Sequence, residues 1–174
     1  LGKIAKKNKI LIYRGKNKNV LNRFYETAKK YKINTIVRVC ADNPFVDSDQ
    51  IDLLVSMYKK KNYDYICNHQ NKLNSNYADG FGAEIFSFSI LEKMHTFVKN
   101  KSQKEHITKY IWDNLNKFKI LSIRAPKSLA YLKLKFDINT KKDLDLIKKL
   151  VKNNKINLKS RANNIVISKL LEKK

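Results

Sequence analysis

Short apolar runs alternate along this chain with amphipathic segments. The apolar runs are rich in β-branched residues and end at turn signals, which is typical of buried strands. In the segments between them, apolar residues recur every three to four positions, as they do on one face of a helix. This alternation predicts an α/β fold with a mostly parallel sheet. The predicted strands are residues 10–13, 35–39, 63–68, 83–88, 118–123 and 131–136.

Several of the amphipathic segments carry helix start signals. Asn19 is a predicted N-cap of the segment that runs to Tyr31, and Asp47 or Ser48 is predicted to cap the next helix. Ser89, followed three positions later by Glu92, has the pattern of a capping box. Further helices are predicted to start at residue 104, to cover residues 142–151 and to lie in the tail. We therefore predict an α/β domain over residues 1–152 and a helical tail over residues 153–174.

The composition is that of a globular protein. The 174 residues contain 43% hydrophobic and 30% charged positions, enough apolar side chains for one sizeable core. No apolar run approaches the roughly 20 residues that a membrane span requires. We therefore expect no membrane contact and a cytoplasmic location. Cys40 and Cys67 form no C-x-x-C pair, so buried free thiols in a reducing compartment are the simpler interpretation.

The formal net charge of +23 is the most unusual feature of the composition. A charge of this size is compatible with nucleic-acid binding. However, the excess is almost all lysine and is spread over every segment instead of forming one basic stripe. We therefore favour a lysine-rich solvated surface, and we keep a basic nucleic-acid-binding module as an alternative.

Two acidic residues stand at the carboxyl ends of predicted strands. Asp42 follows the strand over residues 35–39, and Asp137 follows the strand over residues 131–136. In open α/β sheets, ligands bind at this edge. Two carboxylates there could hold Mg²⁺, which prefers a few carboxylates together with water and substrate phosphates. The spacing leaves open whether the two side chains meet.

A series of motifs extends this pattern over most of the chain. They occur in the order Tyr13-Arg14-Gly15, Val20-Leu21-Asn22-Arg23-Phe24, Val37-Arg38-Val39-Cys40-Ala41-Asp42-Asn43-Pro44, Tyr77-Ala78-Asp79-Gly80, Glu84-Ile85-Phe86-Ser87-Phe88, Glu105-His106-Ile107-Thr108 and Phe136-Asp137-Ile138-Asn139-Thr140. In order and spacing, the chain resembles the cytidylyltransferases of the spore-coat-polysaccharide and acylneuraminate type. These are related to the 3-deoxy-manno-octulosonate cytidylyltransferases. The resemblance runs from about Leu1 to Val151.

The resemblance implies a fold and an activity. The fold would be a Rossmann-like nucleotide-diphospho-sugar transferase (GT-A) three-layer sandwich with a mostly parallel mixed sheet. The activity would be transfer of CMP from CTP to a sugar acid, with Mg²⁺ and with release of pyrophosphate, for surface polysaccharide or glycan biosynthesis. The implied partners are CTP and the sugar acid, and we also consider a homodimer. The family's Gly/Arg/Lys loop, which cradles the CTP phosphates, has no match in this sequence, so we expect an N-terminally truncated chain that lacks activity alone.

The resemblance also implies roles for individual residues. Asp42 and Asp137 match the two metal-binding aspartates and would be catalytic. Arg38 would contact phosphate or the sugar carboxylate; the alternative is a strand arginine that points to solvent or pairs with Asp64. The positions expected around the acceptor sugar are Asp79, Glu84 and His106.

Each of the three acceptor-site residues also has a structural alternative. Asp79 precedes a glycine, where aspartate is common in turns, and His106 could simply begin a helix. A carboxylate such as Glu84 in an apolar strand is costly to bury, which favours a ligand or a basic partner. His69 and His95 look like ordinary loop and helix positions. Among functions, the alternatives are a nucleotidyltransferase for another sugar or nucleotide and a non-catalytic homologue.

Overall fold

The structure is a computed structural model that describes residues 2–15, 18–60, 62–69, 71–158 and 162–173. Helices and strands alternate along the described chain, which confirms the predicted α/β class. The strands are β1 (Thr35–Val39), β2 (Tyr65–Cys67), β3 (Ala83–Ser87) and β4 (Ile120–Ser122). The helices are α1 (Gly2–Lys7), α2 (Val20–Lys30), α3 (Ser48–Lys60), α4 (Phe88–Phe97), α5 (Lys101–Glu105), α6 (Lys109–Trp112), α7 (Lys141–Asn153) and α8 (Ala162–Leu171).

The four strands form one mixed sheet in the order β1-β3-β2-β4. β2 pairs in parallel with β4, with Tyr65 opposite Ile120. On its other side β2 pairs antiparallel with β3, which places Cys67 opposite Glu84. β2 is buried at every position, as a central strand covered on both faces should be.

The described chain divides into two compact units. The first contains the residues up to Ile36 together with Ser87–Phe118. Within it Tyr25 of α2 stacks on His95 of α4, with ring centroids 4.1 Å apart. Asn19 caps α2 by accepting a hydrogen bond from the backbone N–H of Asn22, as predicted.

The second unit contains Val37–Phe86 together with the residues from Lys119 onward. One of its core clusters packs α3 against the sheet through buried side chains; its members are Leu54, Ile66, Ala83 and Ile85. A second core cluster includes Phe45, Phe81 and Phe136, and Val166 of the tail joins it. The predicted domain boundary at residue 152 stays a prediction.

Two predicted strands are absent from the described chain. Residues 10–13 belong to no strand, the N–H of Ile10 donates to the Ala5 carbonyl at 2.9 Å, and Ile10 and Leu11 are 62% and 74% exposed. An apolar run forms a strand only if a neighbouring strand pairs with it through backbone hydrogen bonds. Residues 131–136 form a turn closed by the bond from Leu134 N–H to the Tyr131 carbonyl, followed by a single parallel bridge between Asp79 and Lys135.

Two predicted helices begin or run differently from the expectation. α4 is capped by Ser87, whose Oγ accepts from the N–H of Ile90, and not by Ser89. The helix therefore follows directly on β3. The helix predicted from residue 104 is split into α5 and α6, because the backbone bond from His106 N–H to the Ser102 carbonyl closes the first turn and a second turn starts at Thr108.

No helix in the described part of the chain combines the length and the apolar character needed to cross a membrane. The longest, α3 and α7, have 13 residues each.

The aromatic cluster of the second unit should carry much of its stability. We expect Phe136→Ala to lower the free energy of unfolding by about 3–5 kcal/mol, because a side chain that is 3% exposed leaves a cavity between two other rings. Urea unfolding measures this. Phe97→Ala is the matched control, since that ring is 58% exposed and should change stability by only about 0.5 kcal/mol. Equal losses in the two variants would contradict the assignment.

Candidate active site

Three loop segments that each carry an aspartate are joined by backbone hydrogen bonds in the second unit. The N–H of Ile138 donates to the Asp42 carbonyl at 2.9 Å. The N–H of Phe136 donates to the Asp79 carbonyl at 2.9 Å, and the N–H of Asp79 donates to the carbonyl of Leu134 at 3.0 Å. The segment before α7 therefore lies between the loop after β1 and the turn before β3. This brings Asp42, Asp79 and Asp137 onto adjoining backbone.

Each of these segments also contributes one phenylalanine to the core beneath them. Phe45 follows Asp42, Phe81 follows Asp79, and Phe136 precedes Asp137. The rings of Phe81 and Phe136 stack with centroids 5.0 Å apart, and Phe45 meets Phe136 edge-on at 5.6 Å. Such packing adds specific geometry to the burial of apolar area. The phenylalanines thus anchor the three acidic segments on one small core.

Gly80 allows the closest of these approaches. Its φ of +92° is a conformation that residues with a side chain rarely adopt. A Cβ at this position would lie 2.6 Å from the Asp137 nitrogen and 2.7 Å from the Phe136 carbonyl carbon. The predicted turn at Asp79-Gly80 is therefore confirmed, and the glycine is required because the backbone before Asp137 passes directly over it.

The carboxylates of Asp42 and Asp137 have free coordination capacity. Oδ1 of Asp42 is buried and has no hydrogen-bond partner among the described residues, an arrangement that is costly unless a cation or water satisfies it. Oδ2 of Asp137 accepts a hydrogen bond from Asn139, and Asp137 and Asn139 line a cavity of about 260 Å³ together with Lys135. Two carboxylates fit Mg²⁺, which keeps several waters. No cluster of three or more metal-ligating side chains occurs in the described ranges.

A buried ion pair lies next to the segments that carry Asp42, Asp79 and Asp137, which we call the acidic edge. Glu84 of β3 is 1% exposed, and its Oε2 accepts from Nη1 of Arg38 at 2.9 Å. Its Oε1 accepts from Nε2 of His69 and from the hydroxyl of Tyr65, both at 3.0 Å. Of the two alternatives that the sequence favoured for a buried Glu84, a ligand or a basic partner, the structure shows basic partners, Arg38 and His69. Asp64, the alternative partner of Arg38, instead accepts a hydrogen bond from the backbone N–H of Lys119.

These contacts determine the charge states of the pair. Burial alone would raise the pKa of Glu84, but the hydrogen bond and charge of His69 and those of Arg38 outweigh it and lower the pKa from 4.5 to about 2. Burial would lower the pKa of Arg38, and the charge of Glu84 reverses this and raises it. Both groups are therefore charged at neutral pH.

A side-chain hydrogen bond links the loop that carries Asp42 to the strand of the ion pair. The amide of Asn43, which follows Asp42, donates to the Gly82 carbonyl at 3.4 Å, two residues before Glu84. The charges around Cys40 agree with this placement: burial raises the pKa of its thiol above the usual value, the charge of Arg38 lowers it, and those of Glu84, Asp42 and Asp79 raise it. The ion pair therefore lies beside the acidic edge.

The structure brings together five of the six predicted site residues. Arg38, Asp42, Asp79, Glu84 and Asp137 lie in the second unit. Arg38 pairs with Glu84, and backbone hydrogen bonds join the segments of the three aspartates. His106 belongs to the first unit, where it is exposed and ends α5. The functional roles of all six residues stay predictions.

The sequence interpretation missed His69 and Tyr65, which complete the shell around Glu84. His69 looked like an ordinary loop position. The signal that could have found it is Glu84 itself, because a carboxylate in an apolar strand needs several donors and β2 is the strand next to β3.

The sequence model of the cytidylyltransferase family matches residues 3–168. The chain belongs to the cytidylyltransferase family. Its structure superposes on that of a cytidylyltransferase from Leptospira borgpetersenii serovar Hardjo-bovis with a TM-score of 0.83 and 28% sequence identity, over 99% of this chain and 70% of that one. This match confirms the predicted Rossmann-like nucleotidyltransferase class of fold.

Two curated proteins are similar in sequence. The uncharacterised protein MJ1063 of Methanocaldococcus jannaschii is 37% identical over 81% of this chain and 56% of its own length. The spore coat polysaccharide biosynthesis protein SpsF of Bacillus subtilis is 27% identical over 80% of this chain and 56% of its own length. The match therefore spans about half the length of each of these relatives.

The ion pair should make the acid stability of the fold depend on Glu84. The unfolded carboxyl titrates near 4.5 and the folded one near 2, so the unfolded chain binds more protons between these values and stability falls as the pH falls through this window. The full effect corresponds to on the order of 3 kcal/mol. Unfolding free energies between pH 2 and 5 measure it.

Two variants distinguish the contribution of Glu84 to the acid dependence of stability from that of the other carboxyls. Arg38→Met with Glu84→Gln keeps an acceptor for Tyr65 and His69 but removes both charges, so its acid slope should be smaller than that of the unmodified chain. Asp145→Asn removes an exposed carboxylate that is paired with Lys141, and should leave the slope almost unchanged. An unchanged slope in the double variant would contradict the assignment of the low pKa to Glu84.

Proposed function

We propose that this protein transfers CMP from CTP to a sugar acid with release of pyrophosphate, in a Mg²⁺-dependent reaction of surface polysaccharide or glycan biosynthesis. The observation that carries the proposal is the hydrogen bond between Ile138 and Asp42, which joins the two segments that bear the proposed metal ligands. Membership of the cytidylyltransferase family supports CTP as the donor. The name of the SpsF relative supports a polysaccharide product.

The residues of the site divide the work of this reaction. Asp42 and Asp137 would hold Mg²⁺ through carboxylate oxygens, and an ion bound there would neutralise charge on the phosphates. A hydroxyl oxygen of the sugar acid attacks the α-phosphorus of CTP, the bond to the β-phosphate oxygen breaks, and the hydroxyl proton is released as pyrophosphate leaves. Arg38 would bind the sugar carboxylate, and the exposed Asp79 would accept a hydrogen bond from the sugar.

Other parts of the proposal rest on the family alone. His106 is proposed as a further acceptor-sugar residue, and the homodimer stays a prediction. A cytoplasmic location is proposed because CTP is a cytoplasmic substrate.

Metal binding tests the paired aspartates directly. We expect Asp42→Asn and Asp137→Asn each to weaken Mn²⁺ binding by about tenfold or more, because each variant removes one of two charged ligands. Electron paramagnetic resonance of free Mn²⁺ measures this on the isolated chain. Asp145→Asn, an exposed carboxylate of α7, is the matched control and should bind as the unmodified chain does.

Turnover tests the reaction itself. The full-length protein should release pyrophosphate from CTP only with a 2-keto sugar acid and a divalent cation. Asp42→Asn should lower the rate by about 100-fold or more, since it weakens the charge stabilisation of the transition state. Rates with other nucleotides and with neutral sugars measure the specificity for CTP and for the sugar acid. No release with any acid would contradict the proposal and favour a non-catalytic homologue.

The nucleic-acid-binding alternative, which rests on the positive charge of the chain, can be tested by a binding measurement. A nucleic-acid-binding module would bind DNA or RNA with an affinity that falls steeply between two salt concentrations, because lysines release condensed counterions. Tight, strongly salt-dependent binding to DNA or RNA, without any pyrophosphate release, would contradict the proposed function and favour the nucleic-acid-binding module.

A further inference from the structure

Glu84 is buried and hydrogen-bonded to other side chains of the protein. It is the one charged residue of β3, between the buried residues Ala83 and Ile85, and both of its oxygens accept hydrogen bonds. Removing a carboxylate from water is costly, and the attraction to its partners offsets this only in good geometry. A charged group at this position therefore calls for an explanation beyond stability.

Among the described residues, the guanidinium of Arg38 is hydrogen-bonded through one of its nitrogens. Its Nη1 donates to Glu84, and no other hydrogen bond from its side chain is found among the described residues. A guanidinium carries five N–H donors, which can bind a carboxylate through two parallel hydrogen bonds. The Arg38 side chain is also 17% exposed. Glu84 thus fixes the group through one nitrogen, and the side chain is exposed enough for a solute to reach it.

His69 owes its position to a glycine. A Cβ at residue 82 would overlap the Cβ and Cγ of His69. The neighbouring backbone is fixed as well, because the N–H of Ala83 donates to Oδ1 of Asn68 at 2.8 Å. Gly82 is therefore the space that lets His69 approach Glu84.

Arg38 lies next to the loop of the proposed chemistry. It is the second-last residue of β1, and Asp42 lies in the loop that follows this strand. In the same loop, the side-chain amide of Asn43 donates to the Gly82 carbonyl at 3.4 Å, two residues before Glu84. An anion on Arg38 would therefore lie next to the acidic edge.

We propose that His69 and Glu84 are positioning residues that hold Arg38 so that its other N–H donors receive the carboxylate of the sugar acid, with Gly82 providing the space for His69. This inference rests on the proposed function and extends it to the recognition of the acceptor. Tyr65 completes the same shell by donating to Glu84. None of these supporting residues needs to touch the substrate.

Steady-state kinetics on the full-length protein test the role of His69. His69→Ala and Gly82→Ala should each raise the KM for the sugar acid by about 3- to 10-fold, the effect of one lost orienting hydrogen bond, with the KM for CTP and kcat little changed. His69→Gln keeps an N–H donor and should restore most of the affinity. Gly15→Ala is the matched control, because that glycine only approaches the flexible side chains of Tyr13 and Arg23.

A double-variant cycle separates positioning from general damage. In a His69→Gly background the side chain that Gly82 accommodates is absent, so adding Gly82→Ala should raise the KM no further. Full additivity of the two changes, or equal increases in KM for CTP and for the acid, would overturn the inference. Circular dichroism and Mn²⁺ binding verify that each variant is folded.

A second readout does not depend on turnover. Pyruvate, the simplest 2-keto acid, should shift the ¹⁵Nε signal of Arg38 in the arginine-labelled chain and leave Arg14, Arg23 and Arg124 unchanged. The Arg38 signal, identified from Arg38→Lys, should lose this response in His69→Ala and Gly82→Ala. Equal shifts of all arginines, or none at Arg38, would overturn the inference.

The two proposals fail in different ways. If no sugar acid supports pyrophosphate release, the proposed function fails, whereas the pyruvate titration still decides whether His69 and Glu84 orient Arg38 toward carboxylates. If turnover occurs but the kinetic constants for the acid are unchanged in His69→Ala, only the positioning role fails.

Discussion

The contact among Phe45, Phe81 and Phe136 is the constraint on which the candidate site depends. Each ring comes from a different loop, and each lies within three residues of an aspartate of the acidic edge. Loops carry no regular ladder that would hold them in place, so their position depends on what they bury. Packing the three rings together fixes the loops, and the backbone bonds between Asp42 and Ile138 and between Asp79 and Phe136 then set their spacing. The packing of these apolar side chains thus determines where the segments of the three aspartates lie.

The second constraint is electrostatic. Glu84 is charged although it is buried, and three donors compensate for its desolvation. Such a network favours one arrangement strongly, because loss of any donor leaves a buried charge without compensation. It determines the position of Arg38, whose other N–H donors make no hydrogen bond within the described ranges and are well suited to an anionic substrate.

Two glycines of the turn before β3 connect these constraints. Gly80 lets the backbone before Asp137 pass close to the Asp79 turn, and Gly82 leaves space for His69. Each therefore acts through a missing side chain on a residue far away in sequence. The pattern Gly80-Phe81-Gly82 contributes to both parts of the site, since Phe81 lies between them in the aromatic core.

The sequence by itself determined the alternation of strands and helices, the turn at Asp79-Gly80 and the need of Glu84 for a ligand or a basic partner. These follow from local rules, namely side-chain periodicity, backbone freedom and the cost of burying charge. Tertiary structure alone decided that residues 10–13 and 131–136 form no strands, since a strand exists only with a partner. It also decided that Arg38 and His69 are the partners of Glu84 and that Asp42 adjoins Asp137. Those facts depend on which distant segments pack together, and no local pattern encodes that choice.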